Sequence, residues 1–130
     1  MRNNKPVLLV ENDEVDVINV KRAFEELQIK NKLEIAVNGE EGLAFLQDDT
    51  NEKPFIILLD INMPRMNGIE FLREVKKDKD LRKIPVVVLT TSKEDRDKVE
   101  TFDLGVAGYM LKPNIDKQFT EIIRAIDLYW

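Results

Sequence analysis

Val10-Glu11-Asn12-Asp13-Glu14 directly follows the apolar run Val7-Leu8-Leu9, and a second apolar run, Phe55–Leu59, breaks just as abruptly at Asp60. Carboxylates that end buried runs sit at fixed positions, unlike acids scattered along a solvated loop. Clustered carboxylates raise one another's pKa unless a cation relieves them. A hard divalent ion such as Mg2+, held by one or two carboxylates, a carbonyl and waters, is such a cation, and it commonly sits beside a phosphoryl group. An Asp carboxylate can also act as a nucleophile and form an aspartyl phosphate. The charge of that species is stabilised by metal, Lys and hydroxyl donors. Two residues of those kinds end two further apolar runs: Thr90 in VVVLTTS and Lys112 in GYMLKPN. Each has a plainer role open to it. Asp60 could cap the helix that follows the turn residues Met63-Pro64 and Asn67-Gly68. Thr90 could cap a helix, a task Ser92 would do as well, and Lys112 could be solvated. Acid, acid, hydroxyl and ammonium at four strand ends are harder to read as coincidence.

The elements that must position them follow from hydrophobic period. PVLLV, LEIAV, FIILL, PVVVL and AGYML are short runs rich in Val, Ile and Leu. Three of them lack polar alternation, as strands buried on both faces do. Between them Val17, Val20, Phe24 and Leu27, then Ile69, Leu72 and Val75, then Phe119, Ile122, Ile123 and Ile126 recur at helical spacing. Asn38 with Glu41, and Ser92 with Asp95, have the pattern of helix N-caps with an acid at the third helical position. The order is strand–helix repeated five times, which predicts an α/β domain: a parallel sheet with right-handed crossovers and helices on both faces. No linker or repeat interrupts it, so we expect one domain over residues 1–130. In such sheets the functional site lies beyond the carboxyl ends of the strands, at a switch in strand order. If the first and third strands are neighbours, Glu11 and Asp60 meet there.

Composition narrows the chemistry. The chain has 130 residues, a net charge of -5, no Cys and no His. Its acidity disfavours nucleic acid, which needs clustered Lys and Arg. Without His or Cys there is no Ser-His-Asp or Cys-His catalysis, no imidazole zinc site and no disulfide. The first apolar run is too short for a signal peptide, and no stretch approaches the roughly 20 apolar residues of a membrane span. A cytoplasmic protein that meets no membrane fits these features.

DINMPRMNG, VVVLTT and GYMLKP, in that order and spacing, resemble the three characteristic segments of the receiver domain of two-component response regulators. The similarity covers essentially the whole chain. It implies a flavodoxin-like doubly wound sheet of strand order 2-1-3-4-5. It marks Asp60 as phosphoacceptor and Glu11 and Asn12 as the acidic-pair positions. Glu11, Asn12, Asp60 and the backbone carbonyl of Asn62 would hold Mg2+. Thr90 and Lys112 would contact the phosphoryl oxygens, and Tyr109 would be the aromatic switch that turns inward with Thr90. The Lys112–Pro113 bond would be cis. The implied partners are a histidine kinase and a downstream protein target. RKIPVVVLTTSKEDRD, the DLG before the fifth strand and IRAIDLYW are most similar to the small stand-alone regulators paired with bacteriophytochrome-type kinases. With no output domain in view, the expected output is a change in protein–protein interaction or onward phosphotransfer, without turnover of a separate substrate. Leu128, Tyr129 and Trp130 end the chain with large apolar groups, which suggests a homodimer through the C-terminal face.

Two other readings compete. A flavodoxin-like cofactor binder would need an anion cradle after the first strand, where this chain has the phosphate-repelling ENDEVD. A pseudo-receiver, with the same fold used as a phosphorylation-independent interaction module, is favoured by Asn12 and opposed by Asp60, Thr90 and Lys112. Position 12 is an amide where the family usually has the second carboxylate, and Asp13 sits where the chain turns into a helix, so it suits a cap better than a ligand. Glu11, Asp60 and Lys112 then carry a formal charge of -1 instead of -2. Weaker attraction for a divalent ion follows. Calorimetry should therefore show tighter Mg2+ binding in Asn12→Asp than in the wild type, and equal affinities would contradict this charge argument.

Overall fold

The computed structural model describes residues 4–61, 63, 65–90, 93–112, 118 and 121. Along the chain come β1 (Val7–Val10), α1 (Glu14–Glu26), β2 (Leu33–Ala36), α2 (Gly39–Gln47), β3 (Ile56–Asp60) and α3 (Gly68–Lys77). A 3-10 turn at Leu81–Lys83, β4 (Val86–Thr90), α4 (Lys93–Thr101) and β5 (Gly108–Leu111) follow. The five strands form one parallel sheet in the order β2-β1-β3-β4-β5. The strands, the first four helices and the expected order are all as the sequence indicated. The expected fifth-helix stripe, Ser92, the Asn62 carbonyl, the Lys112–Pro113 bond and the terminal Leu128-Tyr129-Trp130 lie outside the described residues.

Alternation within each strand builds two cores. Leu8, Val10, Ile57, Leu59, Val86 and Val88 point to one face, where α2 and α3 pack through Leu43, Leu46, Phe71, Leu72 and Val75, joined by Val99 of α4. Val7, Leu9, Ile56, Leu58, Val87, Leu89 and Met110 point to the other, onto Val20, Ala23 and Phe24 of α1. The central strands β1, β3 and β4 are buried at every position, whereas the edge strands β2 and β5 are partly exposed. Each Leu- or Val-sized side chain so buried contributes roughly 1.5–3 kcal/mol.

Helix starts are set by local chemistry. Asn38 accepts the Glu41 N–H at 2.9 Å and caps α2. Asn67 and Glu70 form a reciprocal capping box at α3, each side chain accepting from the other's backbone N–H. The turn into α3 folds back on β3: the Gly68 N–H donates to the Ile61 carbonyl at 3.1 Å. A Cβ at position 68 would lie 2.5 Å from Ile61 Cα and 2.8 Å from the Asp60 carbonyl oxygen. Both are backbone atoms, which cannot rotate aside as a side chain could. Gly68→Ala is therefore expected to destabilise the domain by about 1–3 kcal/mol, read as a lower urea midpoint. An unchanged midpoint would show that the β3–α3 turn can open without cost.

Candidate functional site

The sheet register brings the chemistry-bearing residues together. Val10 pairs with Leu59, so Glu11 and Asp60, the next residue of each chain, are lateral neighbours. The Glu11 N–H donates to the Ala36 carbonyl at 2.9 Å, which carries the ladder one residue beyond β1. Asp60 pairs with Leu89, which puts Thr90 one step further along β4, and Thr90 pairs with Leu111, which puts Lys112 one step beyond β5. Glu11, Asp60 and Thr90 are all buried.

Lys112 reaches back across these strand ends. Its Nζ lies 2.8 Å from Asp16 Oδ2, 3.0 Å from Glu11 Oε1 and 3.4 Å from Asp60 Oδ1. The contact with Asp16 is a hydrogen bond. The approach to Glu11 is an ion pair without hydrogen-bond alignment, so among the described residues Glu11 Oε1 is a buried oxygen with no hydrogen-bond donor. Burial disfavours the charge on Lys112. Its hydrogen bond to Asp16, its ion pair with Glu11 and the charge of Asp60 more than offset that, and its pKa is raised. Glu11 is pushed up to about 8, first by burial and then by its hydrogen bond and charge repulsion with Asp60, against the pull of Lys112. One ammonium does not neutralise three acids.

A buried carboxylate oxygen lacking a donor, facing a second carboxylate, suits a hard divalent cation. Among the described residues no three acidic, His or Cys side chains are spaced to hold a metal by themselves. A cation here would complete its shell with amide or carbonyl oxygen and water, as Mg2+ usually does. Asn12 is exposed at the rim of the pocket, and its backbone N–H donates to Glu11 Oε2 at 3.1 Å. Asp13 is the N-cap of α1, as expected: its Oδ1 accepts from the N–H groups of Val15 at 2.8 Å and Asp16 at 3.3 Å.

Tyr109 stands apart from the acids. It is half-buried on β5 and shares with Thr90 a cavity of about 480 Å3 that is also lined by Arg96 of α4. The Arg96 guanidinium lies 5.1 Å from the Tyr109 ring centroid, within cation–π range. Burial, then the Glu100 charge, raises the Tyr109 phenol above its ordinary value.

Sequence reading missed two features. Asp16 is one; its signal was an acid three residues after the cap residue Asp13, on the turn of helix nearest the strand ends. The other is an anchor for the loop after Asp60. The Gly39 N–H donates to the Met66 carbonyl at 3.2 Å, and Arg65 pairs with Glu40 at 2.7 Å. No local pattern joins residues so far apart in the chain.

A parallel 2-1-3-4-5 sheet with acids, a hydroxyl and a lysine at its carboxyl ends defines a class, and comparison with known proteins names it. Residues 7–124 match the model of the response regulator receiver domain, and the chain belongs to that family. It is similar to the response regulator Rcp1 of Synechocystis sp., 35% identical over 97% of this chain and 88% of the relative. A Mn2+-bound form of Rcp1 has been solved and superposes with a TM-score of 0.76 over 97% of this chain and 94% of that one. The bacteriophytochrome response regulator AtBRR is 34% identical, with a TM-score of 0.88 over 98% and 96% of the two chains. The phosphorylated cyanobacterial phytochrome response regulator RcpA is 32% identical, with a TM-score of 0.78 over 98% and 94%.

The electrostatics give a pH dependence with a definite sign. The folded chain holds a proton on Glu11 up to about pH 8, whereas the ordinary value is 4.5. The metal-free protein therefore keeps this contribution to stability below about pH 4.5 and loses it as pH rises through about 8. Urea midpoints in EDTA should fall across that window in the wild type, and the fall should be smaller in Glu11→Gln. The same slope in both proteins would exclude Glu11 as its source.

Proposed function

We propose that the chain is a single receiver domain that accepts a phosphoryl group from a histidine kinase onto Asp60 and signals through the resulting change in its surface. The observation that carries this is the buried Asp60 carboxylate at the end of β3, with the Lys112 ammonium 3.4 Å away and Thr90 at the end of the adjacent strand. In the transfer an Asp60 oxygen forms a P–O bond as the P–N bond to the kinase imidazole breaks. Lys112 then pairs with a phosphoryl oxygen, and the Thr90 hydroxyl donates to another. Glu11, Asn12, Asp60 and the Asn62 carbonyl would hold Mg2+, which when bound would neutralise charge on the phosphoryl oxygens. Withdrawal of the Thr90 hydroxyl toward the phosphoryl group opens the neighbouring space to Tyr109, which turns inward and alters the α4–β5 surface.

The relatives support the partner assignment. AtBRR is a bacteriophytochrome response regulator and RcpA is a phytochrome response regulator in a phosphorylated form. A kinase of bacteriophytochrome type is the donor we assign. The output is binding to a downstream protein or onward phosphotransfer; the only reactions catalysed are the domain's own phosphorylation and dephosphorylation. The Mn2+-bound form of Rcp1 supports a divalent ion as the partner of this chain too. Among the described residues no helix is long and apolar enough to cross a membrane, and we place the protein in the cytoplasm.

Incubation with a small phosphodonor and Mg2+ should label the protein, with mass spectrometry locating the phosphoryl group at residue 60. EDTA should abolish the label, as should Asp60→Ala. Label on Asp13, or none under conditions where Mg2+ binds, would favour the phosphorylation-independent interaction module instead.

A further inference from the structure

We propose that Asp16 is a positioning residue for this site: it supplies the negative charge that position 12 lacks and competes with Glu11 and Asp60 for the Lys112 ammonium. The proposal rests on the reading of Asp60 as the phosphoacceptor. Three carboxylates surround Nζ of Lys112, and the closest belongs to α1, not to the sheet: Asp16 at 2.8 Å, against 3.0 Å for Glu11 and 3.4 Å for Asp60. Only 12% of the Lys112 side chain and 18% of the Asp16 side chain is exposed, so solvent screens this pair weakly. The hydrogen bond links residues 96 positions apart and has no part in forming the helix. Helix geometry fixes the acid in place, because Asp13 caps α1 and accepts the Asp16 N–H.

The charge count changes accordingly. Three carboxylates and one ammonium give the pocket a formal -2 when all are ionised. That is the charge a second carboxylate at position 12 would have supplied without Asp16. The location differs, however. At position 12 a carboxylate would serve the cation directly, whereas at position 16 it occupies the lysine. An ammonium engaged by Asp16 competes less for Glu11 and Asp60, the two carboxylates a divalent ion would take. Once Asp16 is neutral, Glu11 and Asp60 are the charged partners left to the ammonium among the described residues, and the cation must displace it from them.

A double-mutant cycle on the full chain tests this, read by calorimetric Mg2+ binding. Asp16→Asn keeps the shape and removes the charge. It should weaken Mg2+ binding about tenfold, the size of coupling seen within close ionic networks. Asp16→Glu should restore most of the affinity. In a Lys112→Gln background the same Asp16→Asn change should cost only about twofold, since only the direct charge effect would remain. Unfolding midpoints of all variants separate loss of charge from loss of fold. Unchanged Mg2+ affinity in Asp16→Asn overturns the proposal, and so does an equal loss with and without Lys112. Phosphodonor labelling of the wild type keeps the two readings separate. Absence of label on Asp60 refutes the phosphoacceptor, whereas label on Asp60 with a flat cycle refutes only the role of Asp16.

Discussion

A carboxylate buried at the end of an apolar strand is costly unless a cation shares its site, and Lys112 is the cation that β5 brings to Glu11 and Asp60. The ion cluster joins the first strand, the first helix, the third strand and the end of the fifth. Among the described residues its compensation is incomplete, because three acids face one ammonium. Glu11 shows the deficit, with a pKa near 8 and an oxygen that, though ion-paired with Lys112, accepts no aligned hydrogen bond among the described residues. A fully neutralised cluster would be a structural ion network. This one retains an excess of negative charge in a pocket of oxygen donors, the condition in which a small hard cation competes well.

That pocket can exist only because the sheet is rigid beneath it. β1, β3 and β4 are apolar on both faces and change to polar residues only at their last or next residue. The alternate faces are filled by different helices, so neither face can shift without unpacking a core. The polar groups therefore emerge at heights set by strand register. Glu11 stands beside Asp60 because Val10 pairs with Leu59, not because the loops around them are stiff.

The loop between Asp60 and α3 is held differently. Arg65 and Met66 are consecutive non-glycine residues at φ 52 and 59, conformations that cost of order 1 kcal/mol or more each. The main chain is tied at both ends, Gly68 to Ile61 and Gly39 to Met66. The accompanying Arg65–Glu40 pair is exposed and so contributes little. Closeness of backbones, permitted by glycine at 39 and 68, does the holding: a Cβ at position 39 would meet the Met66 carbonyl oxygen at 2.5 Å.

Sequence alone determined the strand and helix succession, because hydrophobic period and cap residues act over a few positions. It also marked Glu11, Asp60, Thr90 and Lys112, because an abrupt change from apolar to polar at a strand end is a local signal. It assigned Asp13 to capping for the same reason. Tertiary structure decided which acid engages the lysine. Asp16 reads in the sequence as one more acid in the first turn of a helix, and its spacing from the cap residue Asp13 says nothing of a lysine 96 positions away. Its role appears only when α1 packs on the sheet and β5 delivers Lys112 to the same end. The loop anchor at Gly39 was hidden for the same reason. Local patterns report which conformation a segment prefers, whereas the pairing of two distant charges is set by how whole elements pack.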